Sequence, residues 1–406
     1  MMKKFKFYLT SMAIAAIFAA CSDDDDNNST PDNPNGEVRD EIIASQDDPD
    51  LDPEALFGDV TGNVTLSADT EWNLTGALEV KENATLTIEP GTVIRAAAGG
   101  TDVYIAIEQG AKIDAQGTAT EPILITSAAA NPRSGDWGGL MLAGYAPINT
   151  GDTAETEVAG ITYGGNDAAD NSGKINYLIL EYTGARIGGE QEFNGLTLYG
   201  VGNGTSVKNI VINNGDDDGI EWFGGTVNVE NALVINAKDD WFDWTEGWNG
   251  EGTNFYGLRR VGFNDVTEDP RGIEADNNSN NNDASPRSNP TITNLTLHHQ
   301  STITMADMIK IRRGSSVTIN NGLVAIVAAE GEDAGEASDF IDLTDGSGPA
   351  SSMTEINVSA IGDIDATDIK NEVGATINVT PGNTGTDKSI FDWATQWVGE
   401  LPNLME

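Results

Sequence analysis

The chain has few basic residues. Its 406 residues include 21 lysines and arginines against 65 aspartates and glutamates, which gives a formal charge of −44. Such a protein repels phosphate backbones and anionic lipid surfaces. The charge therefore excludes nucleic acid as a partner, whereas cations, cationic groups and neutral glycans remain compatible with it.

Cysteine is nearly absent, and the one cysteine follows an export signal. Lys3, Lys4 and Lys6 precede an apolar run from Phe7 to Ala20, which predicts a signal peptide over residues 1–20. The small residues before Cys21 resemble a bacterial lipoprotein box, so we expect lipidation at Cys21. The exported chain would then contain no disulfide.

An acidic segment follows Cys21. The run "SDDDD" resembles the tag that sends lipoproteins of Bacteroidota to the outer cell surface, and residues 21–60 are acidic and rich in asparagine and proline. A segment of this composition buries too little apolar surface to fold, so we expect a flexible tether. These features predict a lipid-anchored protein of the outer membrane that faces the cell exterior.

Long helical patterns are rare, whereas glycine is abundant, with 46 residues. Residues 207–225 align without a gap with residues 229–247, so Asp217 matches Asp239 and Trp222 matches Trp244. A repeat of 22 residues built from short apolar strands and Gly/Asn turns predicts an all-β, right-handed parallel β-helix over residues 61–385. An amphipathic pattern over residues 386–406 predicts a C-terminal helix that caps the last coil.

Stacked coils place equivalent residues in columns about 4.8 Å apart. Asn209, Asn231 and Asn294 share one position and predict an amide ladder. Since strand side chains alternate between faces, one outward column and its neighbour are mostly acidic. The members of the two columns are Glu221, Asp243, Glu274, Lys310 and Asp342 in the first, and Asp218, Asp240, Arg271, Asp307 and Asp339 in the second.

Glu221 and Asp243 have no basic neighbour in their column, and a bound cation or a hydroxyl-rich ligand is one way to compensate their charge. Ca²⁺ takes carboxylate and carbonyl oxygens. The candidate metal ligands are Asp218, Asp240 and Asp276, the last from an Asn-rich segment that lacks the complete EF-hand pattern. The alternative is that the carboxylates splay into solvent.

Trp241 occupies an outward position by strand alternation, next to Asp243. An exposed ring beside carboxylates is suited to sugars, which stack on the ring and bond to the acids. The predicted ligand-binding residues are Glu221, Trp241, Asp243, Glu274 and Arg312. The alternative is that the segment from Trp248 to Asn289 folds over Trp241 and hides it.

An enzymatic alternative rests on "GDDDGIEW" and "MIKIRRG", which are similar to the paired aspartates and the Arg-Ile-Lys segment of polygalacturonases. The catalytic candidates are Asp217, Asp218, Asp240 and Lys310. Hydrolysis would use two carboxyl groups; a lyase would use bound Ca²⁺ with Lys310 or Arg312 as base. The Gly-His-Gly element of that family is missing, and His298 and His299 align instead with Asn213 and Asn214.

The stretch "DDGIEWFGGTVNVENALVINAKDDWFDWTEGWNG", with "RGIEADNNSNNND" and "IKIRRG" after it, resembles a family of acidic, exported β-helix lipoproteins from Bacteroidota and proteobacteria, of the pectate-lyase-like superfold. The resemblance covers most of residues 70–345. It implies the fold and an outer-membrane location and carries over no catalytic residue. We expect a surface protein that binds a glycan or another nutrient, with Ca²⁺ as a cofactor and a TonB-dependent transporter as a partner. The alternatives are a polysaccharide lyase or glycoside hydrolase, and an adhesin or structural surface protein.

Overall fold

The computed structural model describes residues 41–186 and 192–404. The predicted signal peptide, Cys21 and the first part of the predicted tether lie outside these residues. Within the described ranges, no helix is both long enough and apolar enough to cross a membrane.

The first part of the fold consists of short strands separated by turns. In chain order these strands are β1 Ile42–Ile43, β2 Leu56–Val60, β3 Asn63–Leu66, β4 Trp72–Val80, β5 Thr85–Ile88, β6 Val93–Ala96, β7 Ile105–Ile107, β8 Lys112–Gln116, β9 Ile123–Ser127 and β10 Leu140–Ala143. A small antiparallel hairpin follows, formed by β11 Ala154–Glu155 and β12 Thr162–Tyr163.

The second part is more regular and contains the repeat found in the sequence. Its strands are β13 Gly173–Glu181, β14 Leu196–Tyr199, β15 Ser206–Asn213, β16 Ile220–Phe223, β17 Asn228–Ile235, β18 Phe242–Thr245, β19 Glu251–Arg259, β20 Arg271–Ala275, β21 Thr291–His299, β22 Thr304–Lys310, β23 Thr318–Ile326, β24 Glu336–Asp342, β25 Glu355–Gly362, β26 Ile369–Lys370 and β27 Thr376–Val379. A 3-10 helix, Lys388–Ala394, and one turn of α-helix, α1 Thr395–Val398, end the chain.

Each strand of the second part pairs in parallel with the strand two places further along the chain. One column runs β13, β15, β17, β19, β21, β23, β25 and β27. The other runs β10, β14, β16, β18, β20, β22, β24 and β26. Pairing of this kind is that of a solenoid, and it confirms the predicted parallel β-helix.

The interior of the coils is apolar, and one turn is lined by asparagines. Trp222 and Trp244 are fully buried inside the coils. The side-chain amides form an unbroken ladder, each Nδ2 donating to the Oδ1 below at 2.7 to 2.8 Å, through Asn176, Asn209, Asn231, Asn254, Asn294 and Asn321. Asn209 and those above it have positive φ, a conformation that asparagine tolerates better than most residues. The predicted ladder is confirmed and is longer than expected.

The ordered fold begins earlier than the predicted boundary at residue 61. β1 and β2 pair with each other, and β2 pairs with β4. Ile43, Leu56 and Val60 are fully buried in the core. The prediction of a flexible tether over residues 21–60 is therefore wrong for residues 42–60, because a few apolar residues within an acidic segment suffice to complete a first coil.

The C-terminal segment does not cap the last coil. Its Phe391, Ala394 and Leu401 pack on the outside of the second part, in one apolar cluster with Ile179, Val211, Leu233, Ile235, Tyr256 and Leu258. The Arg260 guanidinium holds the segment by donating to the Val398 carbonyl at 2.8 Å. The amphipathic pattern predicted an apolar face correctly, but the surface that it covers is a stripe along the side of the β-helix.

Candidate functional site

The two acidic copies of the repeat lie directly over each other. The backbone amide of Asp240 donates to Asp218 Oδ1 at 2.9 Å. In the strands that follow, Glu221 pairs with Asp243, and Asp243 with Glu274. The predicted stacking of the acidic columns is confirmed.

These residues line a cavity of about 210 Å³, which we call the acidic pocket. Ten of its lining residues are acids, and the others are one asparagine and one arginine. They are Glu157, Glu192, Asn194, Asp217, Asp218, Glu221, Asp239, Asp240, Asp243, Asp269, Arg271 and Glu274. No lining residue is apolar, so the pocket is built for charged or strongly polar atoms.

The acids come from the strands β16, β18 and β20, from the turns before these strands, and from two segments outside the repeat. Asp217 and Asp239 lie in equivalent turns that lead into β16 and β18, and Asp269 lies just before β20. Glu192 precedes β14. Glu157 belongs to the loop of the β11–β12 hairpin, which packs through Val158, Ile161 and Tyr163 against the outward apolar residues of β10, β14 and β16.

A buried arginine holds one of the two acidic turns from behind. Arg259 has no solvent exposure, and its Nη2 donates to the carbonyl oxygens of Ala237 at 2.7 Å and Asp239 at 2.8 Å. Burial lowers the pKa of Arg259 to about 10, while the nearby Asp240 and Asp239 carboxylates act in the opposite direction. The group stays charged at neutral pH and fixes the turn that presents these two acids.

The carboxylates are close enough to share cations. In the part of the chain that the structure describes, three groups of the pocket have oxygen atoms within 4.8 Å of one another. They are Asp217–Asp218–Asp239, Asp218–Glu221–Asp243 and Asp240–Asp243–Glu274. Asp218 and Asp243 each belong to two groups, so the three candidate positions form a continuous row.

The ends of this row contact arginines, whereas its middle group forms no ion pair with the residues that the structure describes. Arg186 contacts Asp217 Oδ1 through Nη2 at 3.1 Å, and Arg271 contacts Glu274. In the middle group, Glu221 Oε2 accepts from Asn194 Nδ2 at 2.5 Å. The Oδ1 atom of Asp243 is buried with no hydrogen-bond partner among the described residues. An unpaired buried oxygen costs free energy unless an ion or a proton satisfies it.

Burial and mutual repulsion make it unfavourable for all ten acids of the pocket to be ionised at once. Burial, and then the surrounding carboxylates, raises the pKa of Asp218, Glu221 and Asp243 well above the usual range. Burial and the neighbouring carboxylates also raise the pKa of Asp240 well above the usual range, although the Arg271 guanidinium opposes the rise. Burial also raises the pKa of Glu157 to about 7, with Glu192 and Glu246 adding to it. An empty pocket would therefore retain protons near neutral pH.

Further up the same columns, the acids have lysine partners. Asp307, Asp339 and Asp342 form a fourth close group. Lys310 Nζ lies 2.6 Å from Asp342 Oδ2, and Lys370 Nζ lies 2.7 Å from Asp339 Oδ2. Arg271 Nε contacts Asp307 Oδ2 at 3.1 Å. We call this group the lysine-filled cluster, since amino groups of the chain occupy the place that a cation would take.

Several predicted site residues lie elsewhere. Asp276 does not line the acidic pocket, because Arg312 Nε at 2.8 Å and Arg313 Nη1 at 2.5 Å bind its carboxylate. Arg312 also contacts Glu274. Arg312 and Lys310 are absent from the lining of the pocket. The structure therefore separates Asp276, Arg312 and Lys310 from the acidic pocket, and their roles as metal ligand, ligand-binding residue and catalytic residue stay predictions.

Trp241 is a core residue and not an exposed platform. It has no solvent exposure and lies in the main apolar cluster inside the coils. It precedes β18 at a bend, where strand alternation does not apply, so its outward position was inferred wrongly. The ring is therefore neither an exposed sugar platform nor an outward ring covered by the segment from Trp248 to Asn289, because it faces the interior. Trp248 is buried as well, stacked on Trp222 with ring centroids 4.3 Å apart.

Six residues of the pocket were not among the predicted site residues: Glu157, Glu192, Asn194, Asp239, Asp269 and Arg271. Asp239 could have been found, since it aligns with Asp217 in the repeat. Glu157 and Glu192 come from segments outside the repeat, and no periodicity indicates where those segments fold.

An all-β solenoid with an acidic pocket on its flank defines the class of the protein, an acidic parallel β-helix. The chain belongs to the family of pectate-lyase-like β-helix domains, whose model matches residues 58–398. Among solved structures, the chain is similar to the catalytic domain of a GH87 alpha-1,3-glucanase variant in complex with tetrasaccharides. The identity is 12%, the TM-score is 0.34, and the match covers 79% of this chain and 64% of that one. This chain thus spans less than two thirds of that domain. No curated protein matches the sequence.

Proposed function

We propose that the protein is a cation-dependent binding protein whose acidic pocket holds divalent ions, Ca²⁺ foremost. The observation that carries the proposal is the contrast between the two ends of the acidic columns. In the lysine-filled cluster, Lys310 and Lys370 neutralise the stacked aspartates. Glu221 and Asp243 occupy equivalent positions, and no amino group of the described residues forms an ion pair with them, which leaves their charge to be compensated by protons or cations from solution.

The chemistry of the lining favours a metal ion over an organic cation. Ca²⁺ takes six to eight oxygen ligands in flexible geometry, and the acidic pocket supplies carboxylate oxygens from ten residues. An alkylammonium ligand would also need apolar contacts for its methylene groups, and the pocket offers none. Mg²⁺ demands near-ideal octahedral geometry and keeps its water, which suits this crowded row of carboxylates less well.

Calcium titration by calorimetry tests the proposal on protein that begins at Ser22. We expect Ca²⁺ binding that weakens strongly in Asp218→Asn and Asp243→Asn, because each change removes a ligand shared by two positions. The matched control is Asp339→Asn in the lysine-filled cluster, which should bind Ca²⁺ as the unmodified protein does. Absence of Ca²⁺ binding at millimolar concentrations would refute the proposal.

The second candidate function is cleavage of a polysaccharide. It is favoured by the raised pKa of Asp217, which burial causes and Glu192 increases, against the opposing effect of Arg186. A carboxyl group that stays protonated beside ionised ones is the requirement for general acid catalysis. The lyase variant of this function is weakened, since Lys310 is bound to Asp342 and does not face the pocket. Incubation with polysaccharides, with and without chelator, followed by measurement of new reducing ends and unsaturated products, tests both variants.

The remaining parts of the function rest on the sequence alone. We propose that the protein is a lipoprotein of the Bacteroidota type, acylated at Cys21 and held at the outer membrane. There it would present its binding surface to the exterior, beside a TonB-dependent transporter. A structural or adhesive role is the alternative. Metabolic labelling with a fatty acid, in the native chain and in Cys21→Ala, tests the anchor.

A further inference from the structure

A second cavity lies at the turns next to the acidic pocket. It measures about 500 Å³, and we call it the turn groove. Its lining is mixed, with two aromatic rings, an amide, a hydroxyl and charged groups: Pro132, Arg133, Ser134, Tyr182, Asn214, Lys238, Phe263 and Asp265.

The turn groove extends across five consecutive coils. Its lining residues follow β9, β13, β15, β17 and β19, which pair with one another in that order. Coils are stacked about 4.8 Å apart, so four steps give a length of roughly 19 Å. That length suits an extended chain of several rings better than a single small molecule.

Tyr182 has an unusual backbone for a bulky residue. It has a φ of 64°, while Asn214 and Asn236, the equivalent residues of the next two coils, have φ values of 61° and 56°. Asparagine tolerates this left-handed conformation, whereas tyrosine pays roughly 1–2 kcal/mol for it. A residue kept in a disfavoured conformation often has a function there.

A second tyrosine of the same coil provides an internal comparison. Tyr177 also has a positive φ, of 48°, and its ring makes an edge contact with Trp393 at 5.1 Å. Packing of the C-terminal segment therefore explains Tyr177. Within the described residues the Tyr182 ring contacts no other aromatic ring, and it is partly exposed in the turn groove.

The polar groups around the two rings are suited to hydroxyls. Lys238 is fixed between Asp216 at 2.5 Å and Asp265 at 2.7 Å. Arg133 is exposed and forms no ion pair with the described residues, so its guanidinium is available to donate. Sugars use this combination, an aromatic face for the apolar side of the ring and donors and acceptors for the hydroxyls. The net charge of −44 disfavours an anionic chain.

We propose that the turn groove binds a neutral oligosaccharide, with Tyr182 and Phe263 as its stacking surfaces. The inference goes beyond the proposed function, since it adds a second binding surface that takes an uncharged ligand. It does not depend on ions, because the residues of the turn groove are separate from those of the acidic pocket.

Affinity electrophoresis in EDTA tests the proposal, with gels that contain dextran, starch, mannan or xyloglucan. We expect at least one of these neutral polysaccharides to retard the protein. Tyr182→Asn, which introduces the residue that the next coils use at this position, should weaken the retardation by about tenfold or more, as should Phe263→Ala in the loop. Tyr145→Ala removes an exposed ring outside the turn groove and is the matched control.

Two results would overturn the proposal: no retardation of the unmodified protein by any of the four polysaccharides, or unchanged retardation of both groove variants. Near-ultraviolet circular dichroism confirms that each variant is folded. Because the gels contain EDTA, a failure here is distinct from a failure of Ca²⁺ binding in the acidic pocket, which calorimetry measures separately.

Discussion

Asp218 accepts a hydrogen bond from the backbone of Asp240, the equivalent residue one coil further along. This contact places two buried carboxyl groups one above the other and repeats the charge at a spacing that the fold imposes. Repulsion between such groups is reduced by protons, by basic residues or by ions from solution. The lysine-filled cluster uses basic residues, and the acidic pocket has too few of them.

Calcium should stabilise the folded protein. A ligand that binds only the native state adds about 2.7 kcal/mol per site at a concentration a hundred times its Kd. We therefore expect the melting temperature to rise on addition of Ca²⁺ and to fall with EDTA. Asp339→Asn should show the same calcium response as the unmodified protein. An equal melting temperature in Ca²⁺ and in EDTA would exclude a stabilising ion.

Removing one buried carboxyl group should have opposite effects on the stability of the ion-free and the Ca²⁺-bound protein. Asp243 lies in the middle of the row, and its Oδ1 has no partner among the described residues. Asp243→Asn should stabilise the protein in EDTA by roughly 1 to 3 kcal/mol, since it removes a buried carboxyl group that must either take up a proton or repel Glu221 and Glu274. The same variant should gain less from Ca²⁺. Denaturant unfolding in EDTA and in Ca²⁺ measures the free energy of unfolding of both proteins. A variant that is less stable than the unmodified protein in EDTA would contradict the prediction.

Stability without calcium should fall as pH rises. Glu157 has a pKa of about 7 in the folded protein against 4.5 unfolded, so the native state binds more protons between these values. Linkage then gives a free energy of unfolding that decreases with rising pH over this window. Ca²⁺ competes with these protons, so its affinity should increase over the same range. Melting temperatures measured from pH 4.5 to 7.5, in EDTA and in Ca²⁺, test both the fall in stability and the rise in Ca²⁺ affinity with pH.

The two histidines should act in the opposite direction. Burial lowers the pKa of His298 and of His299 from 6.5 to about 4, so both are neutral in the folded protein and gain protons on unfolding. Their contribution to stability is present above pH 6.5 and is lost as pH falls towards 4. Each contributes up to about 1.4 kcal/mol per pH unit within that range.

His298→Gln isolates this contribution. In the folded protein His298 Nδ1 lies 3.2 Å from the Tyr256 hydroxyl. The variant should be less stable at pH 7 and should lose less further stability between pH 6.5 and 4.5 than the unmodified protein. Because both proteins contain the same carboxylates, the difference between their free energies of unfolding cancels the effect of the acidic pocket. An equal pH dependence in both would show that His298 does not titrate on unfolding.

The coils and the stacked acids could be predicted from the sequence because both follow from a repeat with no gap. Once Val207 was aligned with Val229, strand alternation placed Glu221 and Asp243 in one outward column, and the pairing of β16 with β18 bears this out. Alternation failed at Trp241, which lies at a bend before its strand. The rule requires extended backbone, and the sequence does not mark where the extended backbone begins.

Segments outside the repeat could not be placed. The loop that carries Glu157 packs against outward apolar residues such as Tyr199 and Phe223, a contact between parts of the chain with no shared period. Likewise, the amphipathic pattern near the C-terminus showed an apolar face but not its partner. Its partner is the outward-facing apolar stripe of Ile179, Val211 and Leu233. The sequence does not indicate which segment covers that stripe.

The asparagine ladder gives a prediction that separates backbone strain from lost hydrogen bonds. Asn231 has a φ of 61°, donates to Asn209 at 2.7 Å and accepts from Asn254 at 2.8 Å. Asn231→Ala loses both side-chain bonds, leaves two amides unpaired and places alanine in the left-handed region, which alanine tolerates less well than asparagine, so we expect a loss of roughly 3 to 5 kcal/mol.

Asn231→Gly provides the comparison, because glycine adopts a positive φ without steric cost. It should lose the same two side-chain bonds and yet be about 1 kcal/mol more stable than Asn231→Ala, since the strain is relieved. Asn378→Ala, in an exposed asparagine pair beyond the ladder where Asn378 donates to Asn357 at 2.8 Å, should cost less than 1 kcal/mol because water replaces the lost partner. Urea unfolding of the three variants measures their free energies of unfolding and so compares the cost of the lost hydrogen bonds with the cost of backbone strain. If Asn231→Gly were no more stable than Asn231→Ala, backbone strain would have no part in why asparagine occupies this turn, and the ladder bonds alone would account for it.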